Sequence, residues 1–363
     1  MSEIAQLKTA ADRFTTEVDN DIDYSAHGGV RWWKNSLGKD NAGLLTSYLD
    51  ALVKGVTQSI DDAIFSIDEF AESQKRWNYT ASQLMTAGQK WNLDFLRSTY
   101  GNPKLERRTR LMTMHSEQCL SNLVTAQDRI GALALIVAGW DFKRDTVLKA
   151  AWNQFAGAAK KLNPAELSAG STPKAITKDP DVSAALLKLA YIPEHSDDYG
   201  PCEWLKWLRE TRNSQIHRAR SLRPVLHEEN RDGSYFYHNV FWKDPSRFFI
   251  QSLASRDQPY RKKERGLYSL LLVRDPVEVM QGLYESTCAM LSDLFIHLTG
   301  LWVARRKAPG AVPQPLSQWP DLGSKVSWCF DGYGRELKVR PGTVVLNPSD
   351  SRLLRVAGVF DDQ

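Results

Sequence analysis

Apolar residues recur at helical spacing over most of the first three hundred positions. Leu44, Leu45, Tyr48, Leu49, Leu52 and Val53 repeat at i, i+4 and i+8, and Val56, Ile60, Ile64 and Ile67 carry the same face onward. The pattern predicts a long amphipathic helix packed on a neighbour around Trp77 to Leu96. Gly101-Asn102-Pro103 then breaks the chain. A second long helix is expected from Thr109 to Val137, with Leu111, Met114, Leu120, Leu123, Val124, Ile130 and Leu133 on its core face. A third is expected from Thr146 to Lys161, ended by Asn163-Pro164. Residues 164–180 hold three prolines and Gly170-Ser171-Thr172 and read as a mobile loop, and Asp181 to Leu189 as a short helix.

The next helix is expected to start near Pro201, where proline suits the first turn, and to end near Ser221, ahead of Pro224. Trp204, Leu205, Trp207 and Leu208 give it an apolar base. Tyr235 to Trp242 is aromatic and partly β-branched, and Arg231-Asp232-Gly233-Ser234 is a hairpin turn, so a β-hairpin is expected here. Tyr268 to Val273 is another candidate strand. Asp275-Pro276-x-Glu278 marks a helix start with Asp as N-cap, and this helix should run to about Arg306 through Val279, Leu283, Leu291, Leu294, Ile296 and Leu301. Ala308 to Pro320 reads as a linker. Val326–Phe330, Glu336–Arg340, Thr343–Leu346 and Leu353–Val359 read as a small β-meander. The chain thus divides into 1–107, 108–306 and 307–363, the first being either a subdomain or an extension of the same bundle.

Composition adds limits. A chain of 363 residues can bury one large core or two to three smaller ones. Cys119, Cys202, Cys288 and Cys329 are widely spaced, which argues against a zinc site or disulfide framework and suits a reducing compartment. Met1 to Asp23 has no apolar signal core, and the longest apolar stretch, Ile130 to Trp140, is too short to span a bilayer. A soluble cytoplasmic protein with no membrane partner is expected. Residues 1–100 carry 10 Lys/Arg against 14 Asp/Glu, whereas residues 201–265 carry 14 against 8. A basic block of this kind attracts polyphosphate, and a solvated mixed-charge surface is the alternative.

The basic block surrounds Arg212-Asn213-Ser214-Gln215-Ile216-His217. RNA is cleaved without a metal when its 2′-hydroxyl attacks the adjacent phosphorus. A base must take the hydroxyl proton, a cation must stabilise the phosphoryl charge and an acid must protonate the leaving oxygen. Histidine serves as base or acid near its ordinary pKa of about 6.5, and arginine stays charged and can hold two oxygens at once. On an ideal helix Arg212 and His217 differ by roughly 140° and 7.5 Å of rise, so they are not stacked. Asn213 and His217 are, at i and i+4, with Glu210 on the same stripe. Arg212, Asn213, His217 and Glu210 are therefore the candidate catalytic residues. A solvated polar face is the other reading of the same stripe.

The form R-N-x3-H, on a late helix of a helical region, resembles the active motif of the HEPN superfamily of ribonucleases. The resemblance covers roughly residues 108–306 and is specific only within 203–221. It implies a helical bundle, and with the patterning above the expected fold is mainly α: a HEPN-like helical bundle with an inserted β-hairpin, an N-terminal helical extension and a small C-terminal β region. It further implies a metal-independent endoribonuclease with no cofactor, acting on RNA as a homodimer in which two copies of His217 divide the acid and base roles. Bacterial members often act as toxins or in anti-phage defence, and the extensions would then be candidates for sensing or for a regulatory protein partner. The aromatic hairpin after the motif helix and the two extensions depart from the family pattern. Some members only bind, so a non-catalytic helical interaction or RNA-binding protein is the alternative.

Arg209, Arg218, Arg220 and Arg223 are further candidates for RNA contact. So are Arg261, Lys262 and Lys263, flanked by Tyr260 and Tyr268. Tyr235, Tyr237 and Trp242 could stack on bases, although their alternation also suits packing on the bundle. Arg107-Arg108-x-Arg110 stands at a helix start, where cations oppose the dipole. Asp19, Asp21 and Asp23 begin like a calcium loop, but the sixth and twelfth positions are Tyr24 and Val30, so no metal is expected there. His195, Asp197 and Asp198 read as a polar loop.

Overall fold

The computed structural model describes residues 2–24, 39–84, 101–139, 151–162, 179–217, 225–230, 233–238, 241–245, 271–308 and 333–334. Among these the fold is mainly α, with seven α-helices, one 3-10 turn and a two-stranded sheet. In chain order they are α1 (Glu3–Tyr24), α2 (Lys39–Leu84), α3 (Pro103–Ala138), α4 (Trp152–Lys160), α5 (Pro180–Glu194), the 3-10 turn Ser196–Tyr199, α6 (Trp204–His217), β1 (Val225–Asn230), β2 (Gly233–His238) and α7 (Pro276–Lys307). The chain forms two compact units, each assembled from separated stretches rather than from the contiguous segments read off the sequence. The first is Met1–Ala10, Lys54–Ile130 and Ile192–Leu294, and the second is Ala11–Val53, Gly131–Tyr191 and Phe295–Gln363.

The first unit is organised by α2 and α3. Val56, Ile60, Ala63, Ile67, Phe70, Gln74, Trp77 and Ala81 are buried, alternating four and three residues apart. Met112, Ser116, Cys119, Leu123, Ala126 and Ile130 do the same on α3, with Leu105 a full heptad before Met112. This is the heptad of a left-handed helix pair. Two arginines fix its direction. Arg108 donates to the Arg76 carbonyl and the Thr80 hydroxyl. Three heptads on, Arg129 donates to the Gly55 carbonyl at 2.5 Å and the Ser59 hydroxyl at 2.6 Å. The helices are therefore antiparallel. Ser59, Ser66, Ser73 and Thr80 recur every seven residues beside the seam, facing Arg129, Asn122, His115 and Arg108 in this register. At the start of α3, Gly101 adopts φ 91°, and the Asn102 side chain accepts from the backbone N–H groups of Lys104 and Leu105.

Trp77 thus lies on the same helix as Val56, not on a separate neighbour, because the seam repeat runs on unbroken to Ala81; residues 85–100 lie outside the described set. Met114 and Ile296, expected in the core, are about half exposed because each falls off its helix's buried stripe. Helix α3 starts at Pro103 rather than Thr109, and α5 runs on to Glu194 rather than stopping at Leu189. Asp275 caps α7 as expected, accepting from the Val277 N–H at 2.8 Å. Helix α7 is long and apolar enough to cross a membrane by length and composition, but 61% of its apolar window is buried inside the fold, as in a core helix.

The hairpin pairs β1 with β2 antiparallel, from Val225 opposite His238 to Asn230 opposite Gly233, so the connection is two residues long. Phe236 and His238 face inward and are buried, while Tyr235 and Tyr237 are half-buried on the other face. Asn78 on α2 accepts from the Phe236 N–H at 2.7 Å and donates to the Phe236 carbonyl at 3.2 Å. It pairs with the open edge of β2 as a neighbouring strand would. Trp77 meets the Phe236 and His238 rings edge-on. Of the strand expected at Tyr268–Val273, the described part is Leu271–Val273; Leu271 forms an isolated bridge with Trp242, and Leu272 and Val273 lie in no strand.

In the second unit Phe14 meets Phe295 and Trp302 at ring separations of 6.1 and 6.2 Å. Arg305 is fully buried, lies 5.1 Å over the Trp302 ring and donates to the Val137 carbonyl in the last turn of α3. Arg306 donates to the Glu17 carbonyl and carboxylate and pairs with Asp21 at 2.6 Å. Asp21 is thus a helix residue committed to an ion pair. Gly131 lies where a Cβ would come within 3.0 Å of the Trp152 backbone, letting α3 approach the start of α4. Residues 140–150, the loop at 163–178, the linker beyond Ala308 and the four strands expected of the tail lie outside the described residues.

Candidate functional site

The motif helix α6 begins at Trp204, later than the expected Pro201, because Pro201 to Glu203 belong to the turn before it. Glu203 holds φ 60°, a left-handed conformation, and its N–H is held by the Asp197 carboxylate at 2.9 Å. Asp197 also accepts a hydrogen bond from Cys202, which raises the pKa of that exposed thiol. The loop is pinned from several sides. Trp204 Nε1 donates to the Ser196 carbonyl at 2.7 Å, and the Tyr199 hydroxyl donates to Asp293 on α7 at 2.9 Å. A Cβ on Gly200 would come within 2.6 Å of the Ser286 hydroxyl, so only glycine allows this approach to α7.

Trp204, Leu205 and Leu208 bury the first half of α6. Trp207 Nε1 donates to the Trp242 carbonyl at 2.9 Å, and its ring stands edge-on to Phe241. Arg209 reaches α3, where it meets Asp128 at 2.9 Å and Gln127 at 3.2 Å, with only 16% of its side chain exposed. Arg209 is thus committed to an internal pair. Neither partner was legible beforehand, since they lie 81 and 82 residues away in sequence. The one available signal was the polar stretch Gln127-Asp128-Arg129 within a mainly apolar run.

The second half of α6 turns polar on its buried side. Thr211 is buried, and Arg212, Ser214 and Gln215 are half-buried. Arg212 Nη1 donates to Asn213 Oδ1 at 3.1 Å, and Asn213 is exposed. Among the described residues no hydrogen-bond partner reaches Thr211 Oγ1, Arg212 Nε or the amide of Gln215. Enclosed polar atoms of this kind cost about 1–3 kcal/mol each. Glu210 is half-buried and helps raise the pKa of exposed Lys206, after the larger effect of Glu203, which accepts the Lys206 ammonium at 2.9 Å. So Arg212 and Asn213 are brought together and Glu210 sits one turn before Asn213. The side chain of His217, at the last position of α6, lies outside what is described. Arg218, Arg220, Arg223, Arg261, Lys262 and Lys263 do so entirely.

Tyr235 and Tyr237 lie 5.0 Å apart on the hairpin. Tyr237 donates to Glu228 at 2.6 Å, and burial followed by Glu228 pushes its pKa well above the ordinary phenol value. That carboxylate, facing the rings, weakens them as a platform for RNA. Among the described residues no group of three His, Cys, Asp or Glu side chains gathers as a metal site. No protein-family model, curated protein or solved structure matches the chain.

Proposed function

We propose that this chain is a metal-independent endoribonuclease of HEPN type. His217 is the acid or base, Arg212 the phosphate clamp, and Asn213 the residue that orients the imidazole. The observation that carries the reading is the division of labour on α6: Arg209 is anchored to Asp128, whereas Arg212 meets only the Asn213 amide among the described residues. A guanidinium held beside a carboxamide, rather than neutralised by a carboxylate, keeps its charge for a phosphate. In the reaction the 2′-oxygen loses its proton to a base and bonds to phosphorus. The P–O5′ bond breaks and the 5′-oxygen takes a proton from an acid, leaving a cyclic phosphate and a 5′-hydroxyl. A homodimer would supply two histidines for these two transfers. A role as toxin or anti-phage effector goes with the same reading.

The second reading is a non-catalytic RNA- or protein-binding chain. The enclosed polar atoms of Thr211, Arg212 and Gln215 favour it, because a helix end built this way also suits a bound partner. One experiment separates the two: incubation of mixed RNA in EDTA with wild type, Arg212→Ala and His217→Ala. The nuclease reading expects cyclic-phosphate ends with wild type and loss of at least a hundredfold in rate in both variants. Intact RNA with a folded wild type sinks it.

A further inference from the structure

The seam of α2 with α3 leaves Phe65, Glu72 and Tyr79, seven apart, on the line of α2 farthest from α3. Asp68 and Lys75 flank this line on one side, Glu69 and Arg76 on the other, and all seven side chains are exposed. Phe65 is 60% exposed and Tyr79 69%, so neither ring serves the core. Arg76 pairs with Glu72 at 2.7 Å, whereas Asp68, Glu69 and Lys75 form no ion pair among the described residues.

The order along this face reads aromatic, two carboxylates, Glu72, two cations, aromatic, so it is its own complement. When two copies of such a helix pack antiparallel about a two-fold axis, each flank meets the same flank of the other copy. With the axis at Glu72, Asp68 faces Lys75 of the second copy on one flank and Glu69 faces Arg76 of the second copy on the other. Phe65 faces Tyr79 of the second copy. Each pair occurs twice, with its members within about 1.5 Å of the same level. Asp61 and Asp62, already bonded to Lys8 and Gln58, face the uncharged Ser82 and Gln83. Glu72 meets its own copy at the axis with Arg76 of the same helix neutralising it. A parallel pair would instead set Asp68 against Asp68 and Lys75 against Lys75, which like charges oppose.

We propose that the outer face of α2 is a self-association surface, and that its occupant is the same face of a second copy of this chain, packed antiparallel. The whole face lies within the first unit. Two ring pairs and four ion pairs make a small interface, so the dimer is weak, in the micromolar range. The contact uses no residue of α6. It is distinct from a pairing of two motifs and stands whether or not the motif cleaves.

The test is sedimentation equilibrium of the full chain from about 1 to 300 μM, at about 50 and 500 mM salt. Wild type should dimerise, and more weakly at the higher salt, because exposed ion pairs are screened. Two charge-reversal variants probe the register. Asp68→Lys combined with Glu69→Lys makes both flanks basic, and Lys75→Glu combined with Arg76→Glu makes both acidic. Each variant alone should weaken self-association at least about tenfold, since like charges then face each other. An equimolar mixture of the two should dimerise again, because every flanking pair is once more of opposite sign. That recovery is a readout which a folding defect or a merely structural role would not give. Phe65→Ser should weaken the dimer about tenfold with its salt dependence unchanged. Wild type that stays monomeric to about 300 μM overturns the proposal. So does a dimer that both reversal variants retain at full strength, since it would use another face, and so does a mixture that fails to pair.

Discussion

The side chain of Arg129 occupies the space a side chain at Gly55 would need. A Cβ there would come within 2.9 Å of Arg129 Cδ, and the guanidinium already donates to the Gly55 carbonyl. A glycine inside a 46-residue helix is therefore a docking place for a neighbour's arginine.

Gly55→Ala tests this against helix propensity. Propensity alone predicts a gain of about 0.5–1 kcal/mol. Displacing Arg129 from a carbonyl and a hydroxyl should cost about 1.5–3 kcal/mol, since one partner is charged. The expected net is a loss near 1 kcal/mol in urea denaturation. Gly157→Ala on α4, with nothing within 4 Å, should show the propensity gain alone. A gain at position 55 would mean that Arg129 moves aside at no cost.

Asn78→Ala should free the open edge of β2. It removes both bonds to Phe236 and leaves a buried N–H and carbonyl unpaired, a loss of about 2–4 kcal/mol. Amide exchange within 225–238 should accelerate more than exchange in the α2–α3 seam. Uniform acceleration would show that the hairpin has no independent opening.

His238 makes stability depend on pH. Burial pushes its pKa down to about 3 from the ordinary 6.5, so the unfolded chain binds the proton more readily than the folded one. Its contribution is intact above about 6.5. It declines as pH falls toward 3, with a slope approaching about 1.4 kcal/mol per pH unit. His238→Phe should flatten the stability profile between pH 6 and pH 4, within the window these two values set. Parallel profiles for the two proteins would rule this out.

Asp21→Asn should be among the costliest surface-distant changes. The carboxylate is 97% buried, pairs with Arg306 and supports the charge of Arg305, whose pKa burial has pushed down to about 9. Removing one partner of a buried pair costs about 3–5 kcal/mol. Glu17→Gln, at a quarter-exposed position, should cost under about 1 kcal/mol. Equal thermal shifts for the two would refute this ranking.

Asp128→Asn should loosen α6 while leaving its motif intact. Arg209 would keep Gln127 but lose its charged partner, a cost of about 1–2 kcal/mol. On the proposed function, kcat falls with KM nearly unchanged, because Arg209 positions the helix without touching RNA. A change in KM alone would instead make Arg209 a substrate contact.

Local signals read well from sequence because their chemistry is local. Asp275 at the start of α7 satisfies a backbone N–H within three residues of itself and reads as a cap; Asn102 caps α3 in the same way but reads only as a break, which puts the expected start of that helix at Thr109. The seam was harder. Gln74, Ser116 and the Ser59–Ser66–Ser73 row are polar, so a hydrophobicity pattern skips them and places Trp77 on another helix. At the site, Arg212 and Asn213 stood out by type and spacing. Arg209's anchoring did not, because an ion pair across 81 residues leaves no trace in local pattern.

The paired arginines also constrain how this hairpin can vary in length. Arg108 and Arg129 each need a carbonyl and, four residues later, a hydroxyl on α2, and those hydroxyls recur only every seventh residue. An insertion of one to six residues in α2 between Gly55 and Thr80 would leave one arginine facing the wrong side of its partner. Length change is therefore tolerated here only in whole heptads, and only when both helices change together.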